Sequence, residues 1–226
     1  MENQELYYNQ LSSLFRDNGI TPDPYQLERL SMYASLVVEK NQVVNLISRK
    51  DIASVVENHV FISAYMSGFL PERVSRYIDI GTGGGFPGIP LAILRPALKG
   101  LMVDSTKKKI DSVSEFIHKL KLSNVTAVNS RVEAPEFIAQ YSGCFDLVIS
   151  RATVPLAMLL RYALPLTRDK AFLASLKGGD LKDEIKSAEL KYKPYIKKLT
   201  VFELNYKPTN VRNEKEKKLI LLELNK

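Results

Sequence analysis

The sequence predicts an α/β protein in which a small helical region precedes a doubly wound, mostly parallel sheet with an antiparallel C-terminal strand. Three observations support this prediction. The first 70 residues carry helical patterns, short β-branched runs then alternate with helical stretches, and the chain ends in two strand-like runs joined by a polar connector. We therefore expect a helical region over residues 1–70 and one α/β domain over residues 71–226, with the boundary near Leu70–Ser75.

The N-terminal region reads as three helices. Gly19 provides a C-terminal cap for the first, while Asp23 as N-cap and Pro24 at the first helical position begin the second. The stretch ASVVENHVFISAYMSGFL predicts the third. Apolar residues at helical spacing support the second helix most clearly.

The α/β domain is predicted from its strands. The runs RYIDI, GLMVD, VTAVN, FDLVIS and AFLASL are β-branched or apolar, and helical patterns such as TKKKIDSVSEFIHKLKL separate them. Strands that alternate with helices indicate βαβ units and a parallel sheet. The final runs, YIKKLTVFEL and EKKLILLELNK, predict an antiparallel pair that closes the sheet.

Composition narrows the possible classes of protein. The 226 residues contain 45% hydrophobic and 25% charged residues, one cysteine and two histidines. We therefore expect no disulfide framework and no metal site. The polar N-terminus and the lack of an apolar run of about 20 residues predict a cytoplasmic protein without a membrane segment, with monomer as the default. The net charge of +7 favours a polyanionic partner, although a lysine-rich surface explains it equally well.

The stretch YIDIGTGGGFPGIPLAILRP suggests a ligand-binding loop at the end of the first strand. Glycines at Gly81, Gly83 and Gly85 allow a sharp turn and the close approach of a ligand. In a doubly wound sheet, ligands bind beyond the carboxyl ends of the strands. The glycines also match the G-x-G-x-x-G pattern of NAD-binding proteins, but glycine density alone makes that match weak.

Two carboxylates indicate which cofactor this loop accepts. Asp79 lies just before the glycines, where an acid suits a cationic group better than a pyrophosphate. Asp104 closes the next strand, where a carboxylate can accept both hydroxyls of a ribose. A ribose and a cationic amino-acid moiety together describe S-adenosylmethionine. Each residue also has a simpler interpretation, in which Asp79 caps the loop and Asp104 caps the following helix.

The stretch DIGTGGGFPGIPLAI resembles the signature of the RsmG (GidB) family of bacterial methyltransferases. Further similarity follows in VDSTKKK, NSRVE, FDLVISRA and LKG, and precedes it in NLISRKD and ENHVFIS. The resemblance implies a Rossmann-like class I S-adenosylmethionine-dependent methyltransferase fold. It also implies that the substrate is 16S rRNA or the small ribosomal subunit, and that the methylated atom is N7 of guanine 527 in the 530 loop.

The resemblance also assigns site residues. Gly81 and Phe86 would contact the cofactor, Asp104 would hold the ribose, and Val132 and Glu133 would flank the adenine. Arg151 would face the methyl-transfer site as a catalytic and cofactor-side residue. Independently of the resemblance, positive charge at Arg49, Lys107 and Lys109 predicts a basic rim around the pocket that contacts RNA. His59 is a further candidate for RNA contact, although a buried structural role for it is equally open. This sequence departs from the family pattern at Ile47, Ile62 and Thr153.

The predicted chemistry needs no general base. N7 of guanine has a free lone pair and carries no proton, so positioning alone brings it to attack. Cys144 precedes its strand and should lie at the wrong end of the sheet for a nucleophile. Methylation of another RNA or a small molecule, an NAD-dependent oxidoreductase and a non-catalytic RNA-binding module are the alternatives.

Overall fold

The computed structural model of the protein describes residues 2–151, 153–209 and 217–226. Within these residues one sheet has the strand order β3-β2-β1-β4-β5-β7-β6. The first five strands are mutually parallel, and β7 runs antiparallel to both of its neighbours. The strands are β1 (Arg76–Ile80), β2 (Lys99–Asp104), β3 (Val125–Asn129), β4 (Phe145–Arg151), β5 (Thr167–Lys177), β6 (Ile196–Glu203) and β7 (Lys218–Asn225).

Helices cover both faces of this sheet. They are α1 (Glu2–Asp17), α2 (Pro24–Lys40), α3 (Ile62–Tyr65), α4 (Gly88–Leu94), α5 (Lys107–Lys119), α6 (Pro135–Tyr141), α7 (Leu156–Leu166) and α8 (Lys182–Tyr192). Because side chains alternate across a strand, Tyr77 of β1 faces one hydrophobic core and Ile78 faces the other. The first core contains the N-terminal helices, α4 and α5, and the second contains α6, α7 and α8.

The N-terminal helices begin and end as local chemistry dictates. Asp23 caps α2 in a capping box with Gln26, and Pro24 occupies its first turn. Gly19, after α1, has a φ of +70°. The predicted helix caps are therefore confirmed. The predicted domain boundary near Leu70–Ser75 stays a prediction, because the helices share their core with the sheet.

The third predicted helix is confirmed as a helical segment, but its turns are of three different types and its α-helical part is only four residues long. A 3₁₀ turn covers Arg49–Ser54, a π-helical turn covers Val56–Phe61, α3 follows, and a second 3₁₀ turn covers Met66–Phe69. Every residue of the π-helical turn is buried, including its polar side chains. Helical turns of this type often occur at functional sites.

The strands agree closely with the sequence-based expectation. β1 and β3 have the predicted bounds, and β6 and β7 form the predicted antiparallel pair. Helix α8 was not predicted. No helix in residues 2–151, 153–209 or 217–226 has the length and apolar character needed to cross a bilayer.

Candidate cofactor and methyl-transfer site

The glycine loop after β1 is organised around the carboxylate of Asp79. Its Oδ2 accepts hydrogen bonds from the Thr82 hydroxyl at 2.8 Å and from the Gly88 N–H at 2.9 Å. A Cβ at Gly88 would lie 2.7 Å from this oxygen, so glycine is required there. Asp79 therefore ties both ends of the loop to β1, which is the capping role left open by the sequence. Its Oδ1 is buried and has no hydrogen-bond partner among the described residues.

Glycine is required inside the loop as well. Gly81 has a φ of +69°, and a Cβ there would overlap Cγ2 of Thr153. Gly85 has a φ of +99°, and a Cβ there would lie 2.6 Å from Cδ1 of Ile89. Both positions combine a left-handed backbone with a close neighbour. The loop is consequently tight against the strand edge.

Asp104 connects the end of β2 to the glycine loop. Its Oδ2 accepts the N–H of Gly83 at 3.0 Å, and its Oδ1 accepts the N–H of Thr106 at 2.9 Å. An ionised carboxylate offers about four lone-pair positions. The two hydrogen bonds therefore leave about two positions for hydroxyl donors from a ligand.

A cavity of about 190 Å³ opens at the carboxyl edge of the sheet between these loops. Four of the predicted cofactor residues line it together: Gly81, Asp104, Val132 and Glu133. They come from the ends of three parallel strands, which meet at the same edge. Asp79, Gly83, Gly85, Phe86 and Arg151 are not among the residues that line this cavity.

Arg151 and Phe86 lie in a second cluster behind the glycine loop. The guanidinium carbon of Arg151 stands 5.1 Å from the centre of the Phe86 ring, in a cation–π arrangement. Tyr33 packs on the same ring at 5.0 Å and donates its hydroxyl to the carbonyl of Gly84 at 2.8 Å. His59 contacts both the Phe86 ring, at 5.3 Å, and Arg151. This cluster joins the N-terminal region to the glycine loop.

Burial shifts the ionisation of the groups around this cluster. Loss of solvation raises the pKa of Asp79 to about 7, against the opposing hydrogen bonds from Thr82 and Gly88. Loss of solvation, with Arg151 nearby, lowers the pKa of His59 to about 3. Burial also lowers the pKa of Arg151, which stays charged because guanidinium groups do not deprotonate in proteins. At neutral pH the cluster therefore contains a cation, a neutral imidazole and a carboxyl near its midpoint.

The predicted RNA contacts fall into two groups. Arg49 is exposed on the 3₁₀ turn, Lys107 is exposed at the start of α5, and Lys109 is half-buried in the first turn of that helix. His59 has only 6% of its surface exposed, so the burial of its ring favours the structural alternative. The RNA contacts of all four stay predictions.

Cys144 precedes β4 at the amino end of that strand, away from the cavity. Among the described residues no group of His, Cys, Asp and Glu side chains is arranged to hold a metal ion.

Thr153 and Lys177 shape the site in ways that the sequence did not predict, although Thr153 stood out as a departure from the family pattern. Thr153 covers Gly81, and its hydroxyl lies 2.6 Å from that of Ser150. Lys177, at the end of β5, forms an ion pair with Glu184 at 2.7 Å and donates to the carbonyl of Val154 at 2.9 Å. The LKG segment contains this lysine and could have indicated it. Nothing in the sequence indicates that it fixes the loop after β4.

A larger cavity of about 490 Å³ lies at the opposite edge of the sheet. Arg76, Lys99, Val125 and Phe145, which begin their strands, are among the residues that line it. We assign the site to the smaller cavity, because ligands of doubly wound sheets bind at the carboxyl ends of the strands.

The strand order, the glycine loop and the carboxylate that ends β2 define a class I S-adenosylmethionine-dependent methyltransferase fold. A SAM-dependent O-methyltransferase of Thermotoga maritima has the same fold, with a TM-score of 0.55 at 14% identity over 83% of this chain and 70% of that one.

Sequence comparison then identifies the family. The model of the GidB family, rRNA small subunit methyltransferase G, matches residues 26–213. The ribosomal RNA small subunit methyltransferase G of Chlorobium luteolum is 47% identical over 179 residues, which are 79% of this chain and 73% of that protein. Its counterpart in Chlorobaculum tepidum is 42% identical over 82% of this chain and 84% of that protein. The chain belongs to the rRNA small subunit methyltransferase G family, which confirms the resemblance.

Proposed function

We propose that the protein transfers a methyl group from S-adenosylmethionine to N7 of guanine 527 in the 530 loop of 16S rRNA. The observation that carries this proposal is the cavity at the carboxyl edge of the sheet, lined by Gly81, Asp104, Val132 and Glu133, in a chain of the rRNA small subunit methyltransferase G family. The substrate class also fits the net charge of +7. The protein acts as a cytoplasmic monomer on the small ribosomal subunit.

The residues present fit the adenosine end of the cofactor. The unused lone pairs of Asp104 can accept the two ribose hydroxyls, and Val132 and Glu133, which line the same cavity, can flank the adenine. The cavity is smaller than the about 300–1,000 Å³ typical of ligand pockets, so the methionine end must extend along the glycine loop. Asp79 is buried beneath that loop, where the negative charge of its ionised form would favour the methionine ammonium group without contacting it.

The cofactor, when bound, supplies an electrophilic methyl group on a sulfonium. The protein must then hold the guanine N7 lone pair in line with it, without removing any proton. Arg151 has five N–H donors, and the carbonyl of Asn58 and the ring of His59 take two of them. The other three have no partner among the described residues. They can hold an anionic group, either the methionine carboxylate or an RNA phosphate.

RNA would approach across a basic rim at the same edge of the sheet. Arg49 on the 3₁₀ turn and Lys107 and Lys109 at the start of α5 project from elements next to the site. Phosphate contacts of this kind position an RNA without reading its sequence. A loop guanine can then be turned outward into the methyl-transfer site.

The direct test is transfer of labelled methyl from S-adenosylmethionine to small subunits that lack the modification, with the label mapped along the RNA. The proposal expects label on N7 of a single guanine in the 530 loop. Small subunits that already carry the methyl group are the control and should accept none. Label on another nucleotide, or on no RNA despite cofactor binding, would contradict the proposal.

Charge reversal tests the basic rim. Lys107→Glu with Lys109→Glu should raise the KM for the small subunit and leave the affinity for S-adenosylmethionine unchanged. The matched control is Lys193→Glu with Lys198→Glu, which changes the charge equally near the amino end of β6, at the opposite edge of the sheet. An equal change of this KM in the two double variants would contradict a role for the basic rim in RNA binding.

A further inference from the structure

Asp51, His59 and Arg151 form a chain of contacts, with the buried His59 at its centre, that links the N-terminal region to the end of β4. Nδ1 of His59 is in hydrogen-bond contact with Nη2 of Arg151, and Nε2 of His59 lies 3.6 Å from Oδ2 of Asp51. Asp51 sits on the 3₁₀ turn beside Arg49, and His59 sits on the π-helical turn. Arg151 lies 92 residues from His59 in sequence and meets the other two only in the folded protein.

Elementary hydrogen-bond chemistry assigns the proton on this histidine. A guanidinium can only donate, so Nδ1 of His59 must accept from Arg151. Nδ1 is then unprotonated, and the single proton of the neutral ring lies on Nε2, facing the carboxylate of Asp51. Burial and the nearby Arg151 lower the pKa of His59 to about 3, which keeps the ring neutral at physiological pH.

The same contacts fix the orientation of the guanidinium. Phe86 supports its face, His59 takes one Nη2 donor, and the carbonyl of Asn58 takes one Nη1 donor at 3.3 Å. A guanidinium held at both terminal nitrogens cannot rotate freely. Its remaining donors therefore point in a set direction.

We infer that Asp51 and His59 are positioning residues that orient Arg151 for the anionic group it binds during methyl transfer. The negative charge of Asp51, 3.6 Å from Nε2, favours the proton there, and the unprotonated Nδ1 holds the guanidinium. His59 does not contact RNA, because its ring is enclosed between Arg151, Phe86 and Asp51. This inference rests on the proposed function of Arg151.

The first test reads the tautomer directly by ¹⁵N NMR of the imidazole nitrogens in the full-length protein at pH 7. The chain has two histidines, and a His118→Gln variant assigns the signals, because His118 is exposed on α5. A neutral ring protonated on Nε2 supports the inference. A ring protonated on Nδ1, or on both nitrogens, would overturn it.

The second test compares two substitutions of His59. His59→Asn keeps an acceptor oxygen at the position of Nδ1, whereas His59→Leu keeps the volume and removes the acceptor. Loss of a hydrogen bond to a charged group predicts a decrease in kcat/KM of about ten- to a hundredfold for the leucine variant. The asparagine variant should stay within about threefold of wild type.

The kinetic constants separate positioning from a general structural role. The substrate whose KM rises in His59→Leu, S-adenosylmethionine or the small subunit, identifies the anion that Arg151 binds. Equal losses in both variants, or a loss in neither, would overturn the inference. A wild-type protein that transfers no methyl group to RNA would instead refute the proposed function, a result distinct from a loss confined to one variant.

Discussion

Asp79→Asn tests the electrostatics of the glycine loop. The carboxyl group is fully buried, and loss of solvation raises its pKa from 3.8 to about 7. Asparagine has nearly the same shape, and its oxygen can accept the hydrogen bonds of Thr82 and Gly88. The substitution therefore removes the ionisation of the side chain with little change in packing.

The sign of the effect follows from the raised pKa. The stability contributed by the protonated carboxyl is fully present below pH 3.8 and is lost as the pH rises through about 7. Between pH 5 and pH 8, these two values correspond to a loss of about 2–3 kcal/mol in the free energy of unfolding of wild type. Asp79→Asn lacks this loss, so its stability relative to wild type should increase by that amount over the same range.

Urea unfolding followed by circular dichroism at pH 5, 6, 7 and 8 measures this difference. His59, whose pKa is lowered to about 3, makes stability rise with pH between about 3 and 6.5, but it does so in both proteins and cancels. Asp111→Asn, which removes an exposed carboxylate paired with Lys107, controls for lost charge. A difference between Asp79→Asn and wild type that stays constant from pH 5 to pH 8 would refute the reasoning.

Three further predictions concern the loop, an interhelical ion pair and the helical region. Gly81→Ala should lower the free energy of unfolding more than Gly143→Ala and should weaken cofactor binding in calorimetry. Both glycines have a positive φ of about +60–70°, but only Gly81 has a neighbouring side chain that an added Cβ would overlap. Contacts with Lys119 and Lys40 lower the pKa of Glu115 to about 2. Glu115→Gln should therefore reduce the free energy of unfolding by less than about 1 kcal/mol at pH 7. In urea titrations, this difference from wild type should disappear as the pH falls from 4.5 to 2. The fragment 71–226 should show no cooperative thermal transition, because its apolar face loses the N-terminal helices; a sharp transition would contradict this.

Part of the cavity lining could be predicted from the sequence, because the order of strands and loops alone brings certain residues together. Residues that follow parallel strands meet at one edge of the sheet, so Gly81 and Asp104 could be placed together without knowing any side-chain contact, whereas Val132 and Glu133 were implied by the family resemblance. Asp79 shows the limit of that rule. Its position in the strand was clear, but the choice between loop cap and cofactor contact depends on where each oxygen points.

The helical region was harder to predict because its buried residues are not all apolar. The segment Val56–Phe61 buries Glu57, Asn58 and His59, polar types that sequence patterns place at the surface. Their burial depends on partners far along the chain, such as Arg151 for His59. No local pattern contains that information, so the sequence left His59 open between an RNA contact and a buried structural role.

These contacts change how the N-terminal helices are understood. Tyr33 supports the Phe86 ring, His59 contacts Arg151, and both belong to the same hydrophobic core as the sheet. Because this region packs against the glycine loop, its role is not limited to binding RNA. We therefore propose that residues 1–70 and 71–226 fold as one cooperative unit. An RNA phosphate held by Arg49 would then lie two residues from Asp51, at the start of the contacts that orient Arg151.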